Sequence, residues 1–396
     1  MSKVYLDHNA TTPVAASIRE ELPKLIEVWG NPSSIHWLGR GPKNILRETR
    51  KAFAEAVGAS PLEIIFNSGG SEANNTVIKG IFDQTSSEPQ SKVFGRNHFM
   101  CSAVEHPSVL RTFMFLRERG ADVDIIPVNR QGQLDLDFLK ERLSERTALV
   151  SVMAANNETG TVFPIKEITQ LVKAKGAYMH TDAVQALGKI PVQLNDWGVD
   201  FASFSAHKVY SLKGTGVLYA RKGSHVTPLI HGGGQERYRR GGTENLLGIA
   251  ALGVVVPEIK KTAEQSEMLS SLRDYFEKRV LAEISEVQVT AGESLRLPNT
   301  SSLVLQGCDG ETMLMNLDIQ GFAVSTGAAC SSGNPEPSPV LLAIGLSRAE
   351  AQNSLRVTLG WHTTRQEIDL FIEALKETVL RLRTIEKEMM EKTDVF

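Results

Sequence analysis

Short apolar runs alternate with helical patterns along the chain between about residues 45 and 255. Strands separated by helices are typical of βα units around a mostly parallel sheet. Several of the runs are apolar on both faces, as expected for strands that are covered by helices on each side. Seven runs have the length and composition of strands: 63–67, 99–104, 123–128, 148–154, 178–181, 201–205 and 216–220.

The pattern changes after about residue 255. It predicts a long charged helix over 259–284, strands over 301–306 and 354–359, and a final amphipathic helix. A capping box from Thr364 to Glu367 marks the start of that last helix. The apolar residues of this helix share one face: Ile368, Phe371, Ile372, Leu375, Val379 and Leu382.

The expected fold class is therefore α/β, with a large domain around a mostly parallel central sheet and a smaller α+β domain. We place the large domain at 16–258 and build the small one from 1–15 and 259–396. The length of 396 residues supports this division, because one hydrophobic core rarely serves so long a chain. A stretch rich in Ser, Glu and Gln, 85–92, is expected to be a surface loop rather than a linker.

Composition and charge argue against several classes of function. Hydrophobic residues make up 41% of the chain and charged residues 22%, as in an ordinary soluble enzyme. The net charge of −3 gives no field that would attract nucleic acid or a membrane surface, so neither is an expected partner. The amino terminus has no apolar leader, and no later apolar run is long enough to cross a bilayer. The expected location is the cytoplasm.

The three cysteines form no CxxC pair, and no histidine cluster has metal-ligand spacing, so we expect neither a disulfide framework nor a metal site. Cys101 lies in the apolar run 99–103 and is expected to be an inert core residue. Cys308 precedes a turn signal. Cys330 lies in the small-residue, turn-rich run 325–337, which predicts a mobile loop that carries an exposed thiol. An incidental surface cysteine is the alternative, although exposed thiols are prone to oxidation.

Lys208 follows the predicted strand 201–205 and precedes a turn-rich segment. A lysine in this place can form an imine with the carbonyl of pyridoxal phosphate, which anchors that cofactor and prepares it for exchange with a substrate amine. A solvated lysine at the end of a strand is the alternative.

Asp182 ends the predicted strand 178–181, about one βα unit before Lys208. A carboxylate at this position can keep the pyridine nitrogen of the cofactor protonated, which makes the ring an electron sink. Gln185 is placed to donate to the phenolic oxygen of the ring. The alternative is that Asp182 only caps a turn.

A strand also leads into Gly69 and Gly70 and then into a helix. Glycines let backbone N–H groups approach a phosphate, and the helix amino terminus adds free donors and a favourable dipole. Ser71, Ser205 and His207 would add side-chain donors. A tight βα turn without a ligand is the alternative.

His106 follows the predicted strand 99–104, so it belongs to the same carboxyl edge of the sheet, where ligands of open α/β sheets collect. Its imidazole can stack on the cofactor ring and move protons, or it can be a structural histidine bonded to a backbone carbonyl.

Taken together, these segments resemble the cysteine desulfurases of the class V aminotransferase family almost from end to end. Beyond the motifs above, the resemblance rests on five segments of this sequence: 6–13, 30–36, 156–160, 231–236 and 240–243. The cysteine loop, about 325–339, is similar to that of the long-loop branch. Ser71 stands where a threonine is common in the family, and the hydroxyl is kept.

The resemblance implies a role for each residue of the site. Lys208 would be the lysine that binds pyridoxal phosphate, Asp182 the partner of the ring nitrogen and Gln185 the partner of the phenolic oxygen. His106 would be the stacking acid and base. Cys330 would accept the sulfur.

Further residues would complete the site in the same family pattern. Asn157 and Arg356 would bind the substrate carboxylate, which suits the planar fork of a guanidinium. Thr243 would reach into the active site of a neighbouring subunit, so the family pattern implies a homodimer with composite active sites. The phosphate would be held by Gly70, Ser71, Ser205 and His207.

The implied activity is that of a cysteine desulfurase, which converts L-cysteine to L-alanine and keeps the sulfur as a persulfide on Cys330. The sulfur would pass to an acceptor protein, such as an iron–sulfur scaffold, or serve tRNA thiolation. Cys330 as a transient ligand of a nascent iron–sulfur cluster stays open.

Three other readings stay open as well. A selenocysteine lyase or an aminotransferase would use the same apparatus. A catalytically silent docking platform is disfavoured, because a silent chain has no chemical need for Lys208, Asp182, His106 and Cys330 together.

Overall fold

The computed structural model describes residues 3–327 and 336–393, with side chains described up to residue 388. The strands of this part are β1 Val4–Tyr5, β2 Ile64–Asn67, β3 His98–Ser102, β4 Asp122–Ile126, β5 Thr147–Ser151, β6 Tyr178–Asp182, β7 Phe201–Ser205, β8 Gly216–Ala220, β9 Val287–Val289, β10 Thr300–Leu305, β11 Phe322–Ala323 and β12 Ser354–Thr358. The α-helices are α1 Ala16–Ile26, α2 Trp37–Ala56, α3 Gly70–Ser87, α4 Pro107–Glu118, α5 Leu136–Arg142, α6 Ile165–Ala174, α7 Leu194–Trp197, α8 Leu246–Ile259, α9 Thr262–Glu283, α10 Gly310–Ile319, α11 Pro339–Ala343, α12 Arg348–Gln352 and α13 Arg365–Thr393.

The central sheet has the strand order β2-β8-β7-β6-β5-β3-β4. Strand β8 is antiparallel to both of its neighbours, and the other pairs are parallel. The predicted α/β class with a mostly parallel central sheet is thus confirmed. Because the parallel strands point the same way, their carboxyl ends meet at one edge, where ligands bind in open sheets.

Apolar side chains fill a core layer on each face of this sheet. On one face, Phe53 of α2 packs edge-on against Phe204 of β7 with ring centroids 5.5 Å apart. On the other, Phe99 of β3 contacts Phe82 of α3 and shares a buried cluster with Phe113 of α4. Helices therefore cover both faces, which explains why β2, β3, β5, β6, β7 and β8 are buried along their whole length. No helix in the described part of the chain is long and apolar enough to span a bilayer.

Two smaller sheets lie outside the central one. Strands β12, β10 and β9 form an antiparallel sheet, and β1 pairs in parallel with β11. Asp7 forms an isolated bridge with Thr358 at the end of β12. The amino-terminal segment therefore lies beside elements from the far end of the chain. The limits proposed for the two domains, 16–258 against 1–15 and 259–396, stay a prediction.

All seven predicted strands of the central sheet are present, and the long charged helix expected over 259–284 is α9, Thr262–Glu283, but one other expectation was wrong. Helix α9 begins three residues later than predicted, because α8 ends at Ile259. The hydroxyl of Thr262 donates to the carbonyl of Ile259 and so competes with the helical hydrogen bonds there. The loop expected over 85–92 begins only after Ser87, since Thr85 is buried in the last turn of α3 and its hydroxyl donates to the carbonyl of Phe82.

Candidate active site

A cavity of about 320 Å³ lies at the carboxyl ends of the parallel strands. This volume is within the range of small-molecule sites. The structure brings ten residues predicted for the site together in its wall: Gly70, Ser71, His106, Asn157, Asp182, Gln185, Ser205, His207, Lys208 and Arg356. Asn9, Ala10, Asn74, Ser108, Met153 and Val184 complete the lining.

Lys208 ends a short 3-10 turn, Ala206–Lys208, that directly follows β7. Its Nζ donates to the backbone carbonyls of Asn9 and Ala10, each at 2.6 Å. Burial, together with the positive charge of Arg356, lowers the pKa of this amine to about 8. Burial thus gives Lys208 an appreciable neutral fraction near neutral pH, as an amine that attacks a carbonyl requires.

Asp182 is the last residue of β6 and is 6% exposed. One carboxylate oxygen accepts from the N–H of Val184 at 3.0 Å, and the other accepts from Nδ2 of Asn74 at 2.7 Å. Each oxygen retains a lone pair for a further donor, such as the protonated nitrogen of a pyridine ring. Oδ1 of Asn74 is buried without a hydrogen-bond partner in the described part of the chain.

The phosphate end of the predicted site is the amino terminus of α3, which begins at Gly70. Among the described residues, no side chain caps this helix, so its first N–H groups are available to an anion. The space is tight, because a Cβ added at Gly70 would lie 2.7 Å from Cγ2 of Val184. A Cβ at Gly216 would lie 2.4 Å from Cα of Gly69. The absence of side chains at Gly70 and Gly216 therefore permits this close packing around the helix start, and the binding of a phosphate there stays a prediction.

His207 lies beside this end of the cavity, and its Nδ1 is 3.0 Å from the hydroxyl of Thr11. Burial lowers the pKa of its imidazole to about 4, with further contributions from the charges of Lys208 and Lys213. At neutral pH the ring is therefore uncharged. It can give a phosphate a hydrogen bond, but it adds no positive charge.

His106 caps the amino terminus of α4. Its Nδ1 accepts from the N–H of Ser108 at 3.1 Å, so the proton of the neutral ring is on Nε2. Desolvation lowers the pKa of this imidazole, Asp182 opposes the shift, and Lys208 adds to it. His106 is thus a neutral ring whose Nε2–H is fixed by a backbone contact.

Arg356 extends from β12 into the cavity. Its Nη2 contacts Oδ1 of Asp7 at 2.8 Å, and its Nη1 donates to the carbonyl of Asn157 at 3.2 Å. Nε of Arg356 is buried without a hydrogen-bond partner in the described ranges. A guanidinium that is held by two contacts and keeps a spare donor is suited to a carboxylate ligand.

Comparison with known proteins agrees with this geometry. Residues 4–371 match the Aminotransferase class-V family. This chain belongs to that family. Cysteine desulfurase IscS of Dictyoglomus turgidum is 44% identical over 385 residues, which cover 97% of this chain and 96% of the relative.

Two solved structures are similar over most of the fold. A NifS-like protein superimposes with a TM-score of 0.87 at 34% identity, covering 95% of this chain and 98% of that one. SspA in complex with cysteine has a TM-score of 0.78 at 33% identity, covering 92% of this chain and 100% of that one.

Pyridoxal phosphate is the cofactor of class V aminotransferases, and the residues present fit it. The cavity offers an amine for a carbonyl at Lys208, a carboxylate for a ring nitrogen at Asp182 and an uncapped helix start for a phosphate at Gly70. Oδ1 of Asn74 and Nε of Arg356 are buried polar atoms in its wall that still lack partners among the described residues.

One predicted site residue among those that the structure describes is not in this cavity. Thr243 lines a separate pocket with Arg240 and Asn245, so its role toward a neighbouring subunit stays a prediction. Cys330 lies outside the described residues, as does most of the predicted cysteine loop, and its role also stays a prediction.

Three residues that contact the predicted site residues were not identified from the sequence. Asn74 holds Asp182, Asp7 holds Arg356, and Asn9 accepts from Lys208. A signal existed for Asn74, which lies four residues after Gly70 and so on the same face of α3. Nothing in the local sequence indicated that Asp7 and Asn9 meet residues from both halves of the chain.

Proposed function

We propose that this protein is a cysteine desulfurase, which converts L-cysteine to L-alanine and transfers the sulfur to Cys330. The observation that carries the proposal is the convergence of Lys208, Asp182 and Arg356 on one cavity. These residues supply an amine, a carboxylate and a guanidinium, which match the carbonyl and ring nitrogen of the cofactor and the carboxylate of an amino acid. The names of the relatives, cysteine desulfurase IscS and SspA in complex with cysteine, support the choice of substrate.

Pyridoxal phosphate supplies an electron-withdrawing ring, which stabilises negative charge on the substrate carbon next to the amine. Lys208 would hold the cofactor through Nζ. Asp182 would keep the ring nitrogen protonated, because its carboxylate is fixed by Asn74 and by the N–H of Val184.

Two bases are available for the proton on the substrate carbon. Nζ of Lys208 is neutral above a pH of about 8, its pKa in this structure. His106 presents Nε2, which carries the proton of the neutral ring, so it acts first as a donor. We therefore assign proton removal to Lys208 and proton donation to His106.

Arg356 and Asn157 orient the substrate. Nε of Arg356 is the buried donor that still lacks a partner in the described residues, and a substrate carboxylate would satisfy it. Asp7 and the carbonyl of Asn157 fix the guanidinium from the other side. A positioned carboxylate holds the amino acid in one orientation over the base.

The sulfur step is assigned to Cys330. Its thiolate attacks the sulfur of the substrate, a sulfur–sulfur bond forms, and the carbon–sulfur bond breaks. The carbon that loses the sulfur takes the electron pair of the broken bond and a proton, and the carbon next to the amine regains the proton removed earlier. L-alanine then leaves, while Cys330 keeps the sulfur as a persulfide. We propose that the persulfide passes to an acceptor protein, such as an iron–sulfur scaffold.

We further propose a cytoplasmic homodimer. Thr243 lies outside the cavity of its own chain, which supports the expectation that it serves a neighbouring subunit. Cys101 and Cys308 are buried free thiols, as is usual for a protein of a reducing compartment.

The test is incubation of the purified holoenzyme with L-cysteine, followed by assay of alanine and mass spectrometry of the peptide that contains Cys330. We expect alanine and a mass increase of one sulfur atom on that peptide. Cys330→Ser should bind the cofactor normally but form no persulfide. Cys308→Ala, which alters a buried thiol of the same chain, is the matched control and should behave as the unchanged protein.

Product analysis separates the alternatives. A keto acid would indicate an aminotransferase, and a strong preference for selenocysteine would indicate a lyase. Persulfide formation in Cys330→Ser, or its absence in the unchanged protein, would refute the proposed role of Cys330.

A further inference from the structure

A second lysine lies behind the wall of the active-site cavity. Lys189 follows β6 in the chain, is only 6% exposed and does not line the cavity itself. No carboxylate in the described part of the chain forms an ion pair with it. Burial, the charge of Lys208 and the charge of Arg356 all lower the pKa of its amine. A buried amine without a counter-ion is costly unless every N–H is used.

The amine of Lys189 donates to two side-chain oxygens. It lies 2.9 Å from Oδ1 of Asn9 and forms a short hydrogen bond with Oε1 of Gln185. A neutral amine has two N–H groups, so these two acceptors satisfy it, which agrees with the lowered pKa. Lys189 therefore binds one residue of the cavity wall, Gln185, and one residue of the amino-terminal segment, Asn9.

The orientation of Asn9 is fixed independently of Lys189. Its Nδ2 donates to the carbonyl of Asn157 at 3.1 Å and to the hydroxyl of Thr300 at 2.9 Å. Its Oδ1 must then face the other way, where Nδ2 of Asn299 also donates to it at 3.1 Å. Oδ1 of Asn9 is therefore a fixed acceptor, and it holds the amine of Lys189 in one position.

The side-chain amide of Gln185 is consequently fixed at both ends. Its Oε1 accepts from Lys189, and its Nε2 donates to the backbone carbonyl of Asn9 at 3.0 Å. A carbonyl oxygen accepts only, so the amide cannot be turned over without losing both contacts. An amide nitrogen has two N–H groups, and one of them is left for an acceptor in the cavity.

We propose that Lys189 is a positioning residue, which holds the amide of Gln185 with its N–H toward the cofactor pocket. The acceptor for that N–H is an anionic oxygen, as the phenolic oxygen of the cofactor is. This inference rests on the proposed function, because it requires that the cavity binds pyridoxal phosphate. Without Lys189, the amide can rotate and present its oxygen to an oxygen, which costs binding.

The test is a double-mutant cycle on cofactor binding. The dissociation constant of pyridoxal phosphate is measured by fluorescence quenching on apo-protein, and the visible absorption spectrum of the bound cofactor is recorded. Lys189→Met keeps the length of the side chain but removes the donors. We expect it to raise the dissociation constant roughly threefold to tenfold, the effect of one lost hydrogen bond, and to shift the absorption maximum. Gln185→Ala should do the same.

Whether Lys189 acts through Gln185 is tested by the coupling between the two substitutions. In the Gln185→Ala background, Lys189→Met should change the dissociation constant by less than about twofold, because the amide that it supports is already gone. Independent, multiplying effects would overturn the proposal, since they would mean that Lys189 acts through something other than Gln185. An unchanged dissociation constant and spectrum in Lys189→Met would overturn it as well.

A control variant separates a positioning role of Lys189 from general damage to the protein. Ser266→Ala removes a hydroxyl that donates to the carbonyl of Lys189, so it disturbs the same residue without touching its amine, and it should leave the dissociation constant unchanged.

If Lys189→Met does not fold, Lys189→Gln, which keeps an N–H donor, replaces it in the same cycle. We expect for it an intermediate dissociation constant in the unchanged background. If the unchanged protein binds no pyridoxal phosphate, the proposed function fails together with this inference. Binding that is insensitive to Lys189 defeats only the latter.

Discussion

Lys208 combines two properties that a solvent-exposed lysine does not have. It is held by the carbonyls of Asn9 and Ala10, and burial lowers the pKa of its amine to about 8. The ordinary value is 10.5, so burial raises the neutral fraction at physiological pH by more than a hundredfold. The sequence predicted Lys208 as the reactive lysine. The two carbonyls that accept from its amine belong to the amino-terminal segment, and the sequence did not predict these contacts.

The pH dependence of cofactor capture tests this property. Only the neutral amine attacks a carbonyl, so the rate at which apo-protein captures pyridoxal phosphate covalently should rise about tenfold per pH unit between pH 6 and 7.5. It should level off above about 8, the pKa of Lys208. Stopped-flow absorbance measures the rate, and free lysine provides the reference. A rate that still rises steeply at pH 9.5 would show that the pKa is not lowered.

Among the elements, the segment that carries Thr243 is anchored by a buried ion pair. Glu236 is fixed by both terminal nitrogens of Arg50, at 2.6 and 2.7 Å, and also accepts from the N–H of Phe66. Glu236 and the next two residues all have positive φ values, 46°, 58° and 63°. This backbone is unfavourable for non-glycine residues, so the ion pair compensates for strain.

Removal of Arg50 should therefore be costly. Arg50→Leu leaves a buried carboxylate without its partner, and we expect a loss of roughly 3–5 kcal/mol in the free energy of unfolding. Arg47→Leu is the matched control on the same helix, because the side chain of Arg47 is 72% exposed against 11% for Arg50. Its loss should be below about 1 kcal/mol. Urea unfolding followed by circular dichroism measures both. Equal losses for the two variants would contradict the assignment.

The elements also show what sequence patterns do and do not determine. The seven strands of the central sheet were predictable, because strands that are buried on both faces give continuous apolar runs. Strand β9, with only three residues, and β11, with two, gave no periodic signal.

For the candidate site, the predictable part was the set of residues at strand ends, such as Asp182 and Lys208. Parallel strands bring their carboxyl ends to one edge, so residues that follow different strands in the sequence lie close together in the structure. The supporting contacts of Asp7, Asn9 and Lys189 join distant segments, and no local rule predicts them. The roles of Cys330 and Thr243 stay predictions.

The free energy of unfolding of the whole molecule should depend on pH through a second buried acid, Glu105. Glu105 accepts from the hydroxyl of Ser102 at 2.6 Å and from the N–H of Met153 at 2.7 Å, and its second oxygen is buried without a partner in the described residues. Burial raises the pKa of this carboxyl from 4.5 to about 8, with a smaller contribution from Asp182. The folded protein therefore keeps a proton that the unfolded chain releases.

This difference makes stability fall as pH rises. Between pH 4.5 and about 8 the folded state binds one more proton at Glu105 than the unfolded state does, so each increase in pH favours unfolding, and the loss is complete above about 8. Glu105→Gln has no such proton. Between pH 5.5 and 7.5 the unchanged protein should lose stability on the order of 2 kcal/mol relative to this variant. Melting temperatures of the two across this range measure the effect. Curves that stay parallel would show that Glu105 is ionised in the folded protein.

The bridge between Asp7 and Thr358 and the contact between Asp7 and Arg356 join residues that are about 350 positions apart. During synthesis, at ~5–20 residues per second, the first of these partners leaves the ribosome roughly 20–70 s before the second. The nascent amino terminus must wait through that interval without its final neighbours. The guanidinium that we propose to bind the substrate is consequently fixed only when translation is nearly finished, so an incomplete chain should not hold an amino acid.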